Sequence, residues 1–286
     1  LYDRHDRVGG LMIYGIPNFK LEKQIVQRRQ ALFEQAGIQF HLNENIDAAR
    51  FAALRAQHDA VLIATGVYKA RVLEVPNASL SGIVPALDYL ITSNRVCLGD
   101  TVDRFDSGEL NAEGKHVVVI GGGDTAMDCV RTAVRQGAAS VTCLYRRDRA
   151  NMPGSAREVK NAEEEGVVFR WLSAPKAFVG DTNVEQILVQ PMRFAAPDLS
   201  GRQNVIPVDG ETQSIPADMV IEALGFEPEA LPKLFGVPEL SVTHSGTLKV
   251  DATGQTSLLG VYAAGDIVRG ASLVVWAIRD GRDVSD

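Results

Sequence analysis

The stretch His116-Val-Val-Val-Ile-Gly-Gly-Gly-Asp-Thr-Ala126 decides the fold. His116 to Ile120 is a near-continuous apolar run, the pattern of a parallel strand covered on both faces. Gly121, Gly122 and Gly123 turn the chain, and the next segment carries Ala126, Val130, Ala133 and Val134 at helical spacing before stopping at Gly137. Val141 to Tyr145 reads as the following strand. Set between a strand and a helix, Gly121-x-Gly123-x-x-Ala126 has the spacing of a dinucleotide-binding turn. The first glycine permits the turn, and the second lets backbone N–H groups approach a pyrophosphate. The small third residue lets helix and strand pack closely, and the helix N-terminus favours the anion. The plain alternative is a glycine-rich turn with no ligand, and the strand before it and the helix after it favour the dinucleotide.

The end of the next strand reads cofactor choice. An NAD site places Asp or Glu there to hold the ribose 2′-hydroxyl. Here Tyr145 runs into Arg146-Arg147, with Arg149 nearby. Two guanidinium groups suit a 2′-phosphate, and no acid stands at the strand end to repel it. A solvated basic loop is the alternative, and the position favours NADP.

Moving outward, the chain repeats itself. Asp59-Ala-Val-Leu-Ile-Ala-Thr-Gly66 matches Asp218-Met-Val-Ile-Glu-Ala-Leu-Gly225 at Asp, Val, Ala and Gly. Each is a buried strand ending in glycine, with a helix, a glycine and a strand upstream. In the first copy the spacing predicts a helix from near Lys20 that buries Leu21, Ile25, Leu32 and Ala36. Gly37 caps it, and Ile38, Phe40 and Leu42 alternate as a strand. In the second, Ser155-Ala-Arg-Glu158 reads as a capping box, Gly166 closes the helix, and Val167 to Trp171 form a strand. The first copy has no counterpart of the strand–glycine–helix unit, and Leu1-Tyr2-Asp3 looks like the tail of a second strand. The repeat therefore implies at least ~30 further residues N-terminal to it. An acid at such a strand end, Asp3, suits an adenosine ribose, and Gly9-Gly10-Leu11 would pass the backbone close to a cofactor. Residues 181–215, broken by Pro191, Pro197, Pro207 and Gly210, read as an antiparallel ribbon. Leu258 to Asp266 is a last buried strand ending in Gly-Asp. Asp266 there can accept from a polyol, although a plain strand-to-loop turn is the commoner use of that dipeptide. The next helix, from about Ser272, is expected to bury Leu273, Val274, Trp276 and Ala277, and its N-terminus could stabilise negative charge on a reduced flavin.

Composition narrows the function class. The net charge of −7 over 286 residues argues against nucleic-acid and anionic-membrane partners, which need basic surface. No apolar run approaches the ~20 residues of a membrane span. Cys97, Cys129 and Cys143 form no C-x-x-C pair, and the five histidines are dispersed with no H-x-x-x-H. Reduced thiols in a cytoplasmic protein are the expected state. No G-x-S-x-G occurs, so neither hydrolytic nor metal chemistry is indicated.

Taken in order, six motifs resemble the small (beta) subunit of bacterial NADPH-dependent glutamate synthase. They are D-R-V-G-G-L-M-I-Y-G-I-P-N-F-K-L (6–21), A-T-G-V-Y-K-A-R (64–71), G-G-G-D-T-A-M-D-C (121–129), Y-R-R-D-R-A-N-M-P-G-S (145–155), A-L-G-F-E-P (223–228) and A-A-G-D-I-V-R-G-A-S-L-V-V-W-A (263–277). The likeness spans the chain. It implies an α/β fold of two Rossmann-like domains, an NADPH domain at 99–245 inserted into a FAD domain made of 1–98 and 246–286. It implies hydride transfer from NADPH to FAD, with electrons leaving through 4Fe-4S clusters to the large (alpha) subunit, which makes L-glutamate from glutamine and 2-oxoglutarate. By motif position, Asp3, Gly10, Leu11, Ala64, Thr65, Gly66, Gly265, Asp266 and Val274 fall to FAD. Gly121, Gly122, Gly123, Asp124, Thr125, Arg146 and Arg147 fall to NADPH. No side chain is assigned as a catalytic acid, base or metal ligand. The family's cysteine-rich cluster region and the FAD G-x-G-x-x-G turn are not among these residues. The FAD domain is thus expected to be truncated at its N-terminus, the FAD site incomplete, and FAD held weakly or not at all. Two other readings stand beside this one: the electron-input half of another NADPH-dependent flavoprotein such as dihydropyrimidine dehydrogenase, and a flavin-free fragment that binds a nucleotide or a partner.

Overall fold

Along the strand His116–Ile120, Val117 and Val119 enter one hydrophobic cluster while Val118 and Ile120 enter another. The two-residue period of a strand sends neighbours to opposite faces, so an apolar run with no polar alternate needs cover on both sides. The computed structural model supplies that cover, and it describes residues 1–197, 203–210 and 212–286.

In chain order the strands are β1 (Val61–Ile63), β2 (Lys69–Ala70), β3 (Ile83–Pro85), β4 (His116–Ile120), β5 (Ser140–Leu144), β6 (Val168–Arg170), β7 (Ser173–Val179), β8 (Gln186–Phe194), β9 (Val205–Pro207), β10 (Gln213–Pro216), β11 (Met219–Glu222), β12 (Phe226–Glu227) and β13 (Val261–Ala263). The helices are α1 (Leu11–Tyr14), α2 (Lys23–Gln35), α3 (Ala48–Gln57), α4 (Ala86–Cys97), α5 (Asp103–Asp106), α6 (Asp124–Arg135), α7 (Ala156–Glu164), α8 (Leu231–Leu234), α9 (Asp266–Arg269) and α10 (Val274–Ser285). They form two compact units. One comprises Gly9–Leu32 and Val72–Leu224, the other Leu1–Val8, Phe33–Arg71 and Gly225–Asp286. These bounds differ from the expected 98/99 and 245/246: residues 9–32 and 72–98 pack with the middle of the chain and 225–245 with its ends.

The larger unit is built on a five-stranded parallel sheet of order β3-β11-β4-β5-β6. On one face α6 buries Ala126, Met127, Cys129, Val130 and Ala133 against Val117 and Val119, with Tyr89 and Leu90 of α4 in the same cluster. On the other lies the antiparallel sheet β10-β8-β7 with β9 beside β8, whose Phe178, Ile187, Val189 and Ile215 meet Val118 and Ile120. The ribbon expected over 181–215 is therefore part of this layer, and residues 198–202 and 211 lie outside the described residues. Each valine or isoleucine so buried contributes about 1.5–3 kcal/mol. A buried polar network ties α4 to α6. Gln136 Oε1 accepts from the Tyr89 hydroxyl and from Ala112 N, both at 2.9 Å. Replacing Tyr89 with Phe should cost about 1 kcal/mol in urea unfolding, because Ala112 still satisfies the amide oxygen.

The smaller unit pairs β1 with β13 in parallel, Val61 opposite Val261, so both ends of the chain share a sheet. Phe51 of α3 stacks on Phe235 at 4.4 Å between ring centres, beside Leu231, Leu248 and Ile267. The strands that follow the two copies of the repeat pair with each other, Phe226 opposite Ala70 in antiparallel β12-β2.

Four local expectations are corrected. α2 begins at Lys23 and buries Lys23 and Val26, while Ile25, Leu32 and Ala36 are exposed. Its face is set by Lys23 Nζ, which donates to the carbonyls of Met12 (3.1 Å) and Ile16. The strand expected at Ile38 to Leu42 is a single bridge, Tyr2 opposite His41, because, apart from Ile38 N on Phe33 O, its backbone bonds among the described residues run only to Leu1 and Asp3, from Gln39 O and from His41 N and O. Ser155 precedes α7 without a side-chain cap: Glu158 turns instead to Lys20 and Arg131, each at 2.7 Å. α10 exposes Leu273, Val274 and Trp276, since polar contacts orient it, among them Arg269 Nε to Asp280 Oδ2 at 2.7 Å.

Candidate functional site

β4 ends at Ile120, paired with Leu144, and the glycine turn follows. Gly121 has φ +147°, and a Cβ there would overlap the carbonyl oxygen of Ala223. Only glycine fits. The Cys143 thiol donates to the Gly121 carbonyl at 3.4 Å. Burial pushes that thiol up to about 12, so Cys143 is a structural, protonated group. Gly122 is buried, and a Cβ on it would overlap the ring of Tyr145. A Cβ on Gly123 meets nothing within 4 Å. Gly123 also precedes α6 with no side chain capping the helix. α6 thus starts without a side-chain cap directly after a glycine with open space around it, an arrangement that can receive an anion. Asp124, the first residue of α6, turns its carboxylate aside to accept from Ser155 N at 3.1 Å, and Thr125 follows it.

Beyond β5, Arg146 is exposed and Arg147 half-buried, and neither has an acidic partner among the described residues. Arg149 is engaged otherwise, with both its terminal nitrogens on Glu163 at 2.7 and 2.9 Å. The larger unit thus brings together all seven residues assigned to NADPH. In the sequence, the 145–155 motif belongs only to the resemblance and does not show how that segment bonds back to the glycine turn. Tyr145 donates its hydroxyl to Asn151 O at 3.0 Å, and Gly154 N donates to Gly122 O at 2.8 Å. A Cβ on Gly154 would stand 3.0 Å from that oxygen. The signal available was Met152-Pro-Gly154, whose proline and glycine mark a turn.

In the smaller unit, the parallel strands β1 and β13 end side by side, with Ala264 N on Ile63 O at 3.1 Å. Ala64, Thr65 and Gly66 leave one strand, and Gly265 and Asp266 leave the other, so these five cluster at one sheet end. Ala64 and Thr65 are exposed there. Gly265 takes φ +77° before α9. Asp266 carries a buried Oδ1 with no hydrogen-bond partner among the described residues, and burial raises its carboxyl above the usual range against an opposing hydrogen bond from the Ser272 backbone. Tyr68 was also missed. Its ring stands 3.1 Å from a Cβ on Gly66, with Arg4 at 5.0 Å over its face. Burial pushes its hydroxyl up to about 12, aided by the negative charges of Asp3 and Asp266. Asp3 and Asp266 thus share one neighbour. Asp3 also accepts from His5 N at 2.9 Å. Val274 opens α10 and is exposed. Gly10 and Leu11 belong to the larger unit, at the start of α1. Neighbouring Gly9 is explained by packing, since a Cβ on it would come within 2.6 Å of Val26.

Among the described residues, no helix is long and apolar enough to cross a membrane. Residues 52–281 match the model of the pyridine nucleotide-disulphide oxidoreductase family. A protein of Cereibacter sphaeroides, provisionally named glutamate synthase (NADPH) small chain, is 64% identical over 100% of this chain and 69% of its own length. The glutamate synthase (NADPH) small chain of Azospirillum brasilense is 59% identical over 100% of this chain and 60% of its own length. This chain thus spans 60–69% of those two relatives. Among solved structures, Mycobacterium tuberculosis FprA in complex with NADPH aligns with a TM-score of 0.80 at 20% identity, over 99% of this chain and 75% of that one, a likeness of fold. The chain belongs to the pyridine nucleotide-disulphide oxidoreductases and, within them, to the glutamate synthase (NADPH) small chains.

Proposed function

We propose that this chain is the NADPH-to-FAD electron-input part of a glutamate synthase small chain. The observation that carries it is the pair Arg146 and Arg147, free of acidic partners among the described residues, beside a glycine turn whose Gly123 faces open space. When bound, NADPH would supply the hydride that FAD would accept. The Gly121–Thr125 backbone holds the NADPH pyrophosphate, and the two arginines hold the 2′-phosphate. Asp266, whose Oδ1 lacks a partner, holds a flavin hydroxyl, with Asp3, Ala64, Thr65, Gly66 and Gly265 beside it in the same unit. Val274, which opens α10 in that unit, completes the set there, and Gly10 and Leu11 of the larger unit are proposed for FAD on motif position alone. No side chain needs to act as acid or base in a hydride step, so the protein's work is to bind and orient. The onward path runs through 4Fe-4S clusters, with ligands outside this chain, to the large subunit, where glutamine and 2-oxoglutarate become glutamate. Three free cysteines suit a reducing cytoplasm as the setting.

The test is anaerobic titration of the full-length small chain with NADPH and NADH while the flavin absorbance is followed. NADPH should bleach it at far lower concentration than NADH, and equal bleaching by the two overturns the assignment. A second expectation concerns Asp266. Asp266→Ala should weaken FAD binding about tenfold, the loss of one charge-assisted bond. It should leave the flavin-free protein as stable or more stable at pH 7. The raised carboxyl lowers folded-state stability as pH climbs through the ordinary carboxylate range, and alanine removes that cost. A lower melting temperature for the flavin-free variant would show that Asp266 is a structural residue.

A further inference from the structure

We propose that Tyr145 is the positioning residue that holds the two anion-binding parts of the nucleotide site in register. The inference rests on the reading of this site as an NADP site. The ligand carries two anionic points, a pyrophosphate and a 2′-phosphate, at a separation fixed by the adenosine ribose. The protein answers with groups on two different segments, the 121–125 backbone and Arg146–Arg147. β4 and β5 hold those segments together only up to the pair Ile120 and Leu144 and the bond from Gly121 N to Leu144 O at 3.0 Å. Past that bond the sheet no longer sets their spacing.

Tyr145 does so instead. Its N donates to Arg170 O and its carbonyl accepts from Ser173 N, both at 3.0 Å. Its ring occupies the place a side chain on Gly122 would take. Its hydroxyl holds Asn151 O at 3.0 Å, and the segment from Asn151 returns to the turn through Gly154 N on Gly122 O at 2.8 Å and Ser155 N on Asp124 Oδ1 at 3.1 Å. The result is a closed circuit from Gly122 through Tyr145, Asn151 and Gly154 back to Gly122, with Arg146 and Arg147 on the stretch inside it. A ring pressed onto Gly122, while Gly123 next to it stays open, fixes how far the arginines stand from the pyrophosphate donors.

Two sites held at the right separation act as a chelate, so the second contact forms at high effective concentration. A residue that only sets the separation matters for a ligand that spans both sites and hardly at all for a ligand that uses one. The experiment is calorimetric titration of the full-length protein with NADP⁺, 2′-AMP and 5′-ADP, in wild type, Tyr145→Ala and Tyr145→Phe. NADP⁺ spans both sites, 2′-AMP reaches the arginines, and 5′-ADP reaches the turn. Tyr145→Ala should bind NADP⁺ about tenfold or more weakly, with 2′-AMP and 5′-ADP within about twofold of wild type. Tyr145→Phe keeps the ring and loses one bond, so NADP⁺ should weaken by about threefold. Unchanged NADP⁺ affinity in Tyr145→Ala overturns the proposal, and so does an equal fall for all three ligands, which marks a merely structural residue. If Tyr145→Ala does not fold, Tyr145→Phe decides, and equal losses for NADP⁺ and 5′-ADP overturn the inference. A wild-type protein with no preference for NADP⁺ over NAD⁺ overturns the underlying assignment instead.

Discussion

The variant carrying Arg146→Ala and Arg147→Ala together should lose about a hundredfold or more in NADP⁺ affinity and change little toward NAD⁺. A hydrogen bond to a charged group contributes about 1.5–3 kcal/mol, and each 1.4 kcal/mol is about tenfold in binding. Two such bonds to a dianionic phosphate therefore account for two decades or more. The structure favours a large effect over a small one, because neither guanidinium has an acidic partner among the described residues to compete for it. Arg149 provides the contrast: it is committed to Glu163, so Arg149→Ala should alter NADP⁺ binding far less. Titration of both nucleotides against the single and double variants decides the matter. An unchanged ratio of NADP⁺ to NAD⁺ affinity in the double variant rejects a 2′-phosphate role. A parallel fall in both affinities that disappears in high salt would mark general attraction of an anion to a basic loop.

How much of this was legible in the sequence depends on which forces were local. β4 and its turn were legible because burial on both faces leaves no polar alternates and a tight turn demands glycine. Arg146 and Arg147 were legible as a pair of arginines just past a strand, because the apolar run of β5 and the polar residues after it mark where that strand stops. The bounds of the two units were not. The repeat marks β1 and β11 as alike, yet β11 lies in the five-stranded sheet beside β3, only three residues long and without a period to read. The buried Lys23 was hidden because its two acceptors are backbone carbonyls, which no sequence pattern records. Tyr145 was hidden for a related reason. An aromatic residue at a strand end is ordinary, and its hold on Gly122 and Asn151 appears only once the 149–155 segment has folded back. The apolar residues of α10 have helical spacing, but spacing does not say what covers a face. Polar contacts orient that helix instead.

Lys20→Met should destabilise the protein by about 2–3 kcal/mol at pH 8 and by clearly less at pH 5. Lys20 Nζ stands 2.6 Å from Asp128 Oδ1 and 2.7 Å from Glu158 Oε2. The Asp128 side chain is only 13% exposed, and burial pushes its carboxyl up to about 6 even with Lys20 opposing the shift. Glu158 keeps Arg131 at 2.7 Å when Lys20 is lost, but the closest cation to Asp128 is gone. Breaking a buried pair costs about 3–5 kcal/mol, and the partial exposure of Lys20 brings the figure down. The sign of the pH dependence follows from linkage. An acid whose folded value lies above its unfolded value of 3.8 takes up protons on folding, so it lowers stability progressively between pH 4 and pH 6 and by a constant amount above. Without Lys20 the ionised form is costlier still, so the gap between variant and wild type widens as Asp128 ionises and is smallest where it is protonated. Adding Asp128→Leu to Lys20→Met removes the stranded carboxylate and should restore most of the loss, because an apolar pair of similar volume replaces an ion pair with little penalty. Urea unfolding of wild type, Lys20→Met and the double variant at both pH values measures all of this. An equal loss for Lys20→Met at pH 5 and pH 8 would place the effect in the packing of the lysine stem. A double variant no more stable than Lys20→Met would show that Asp128 is held by something other than that charge.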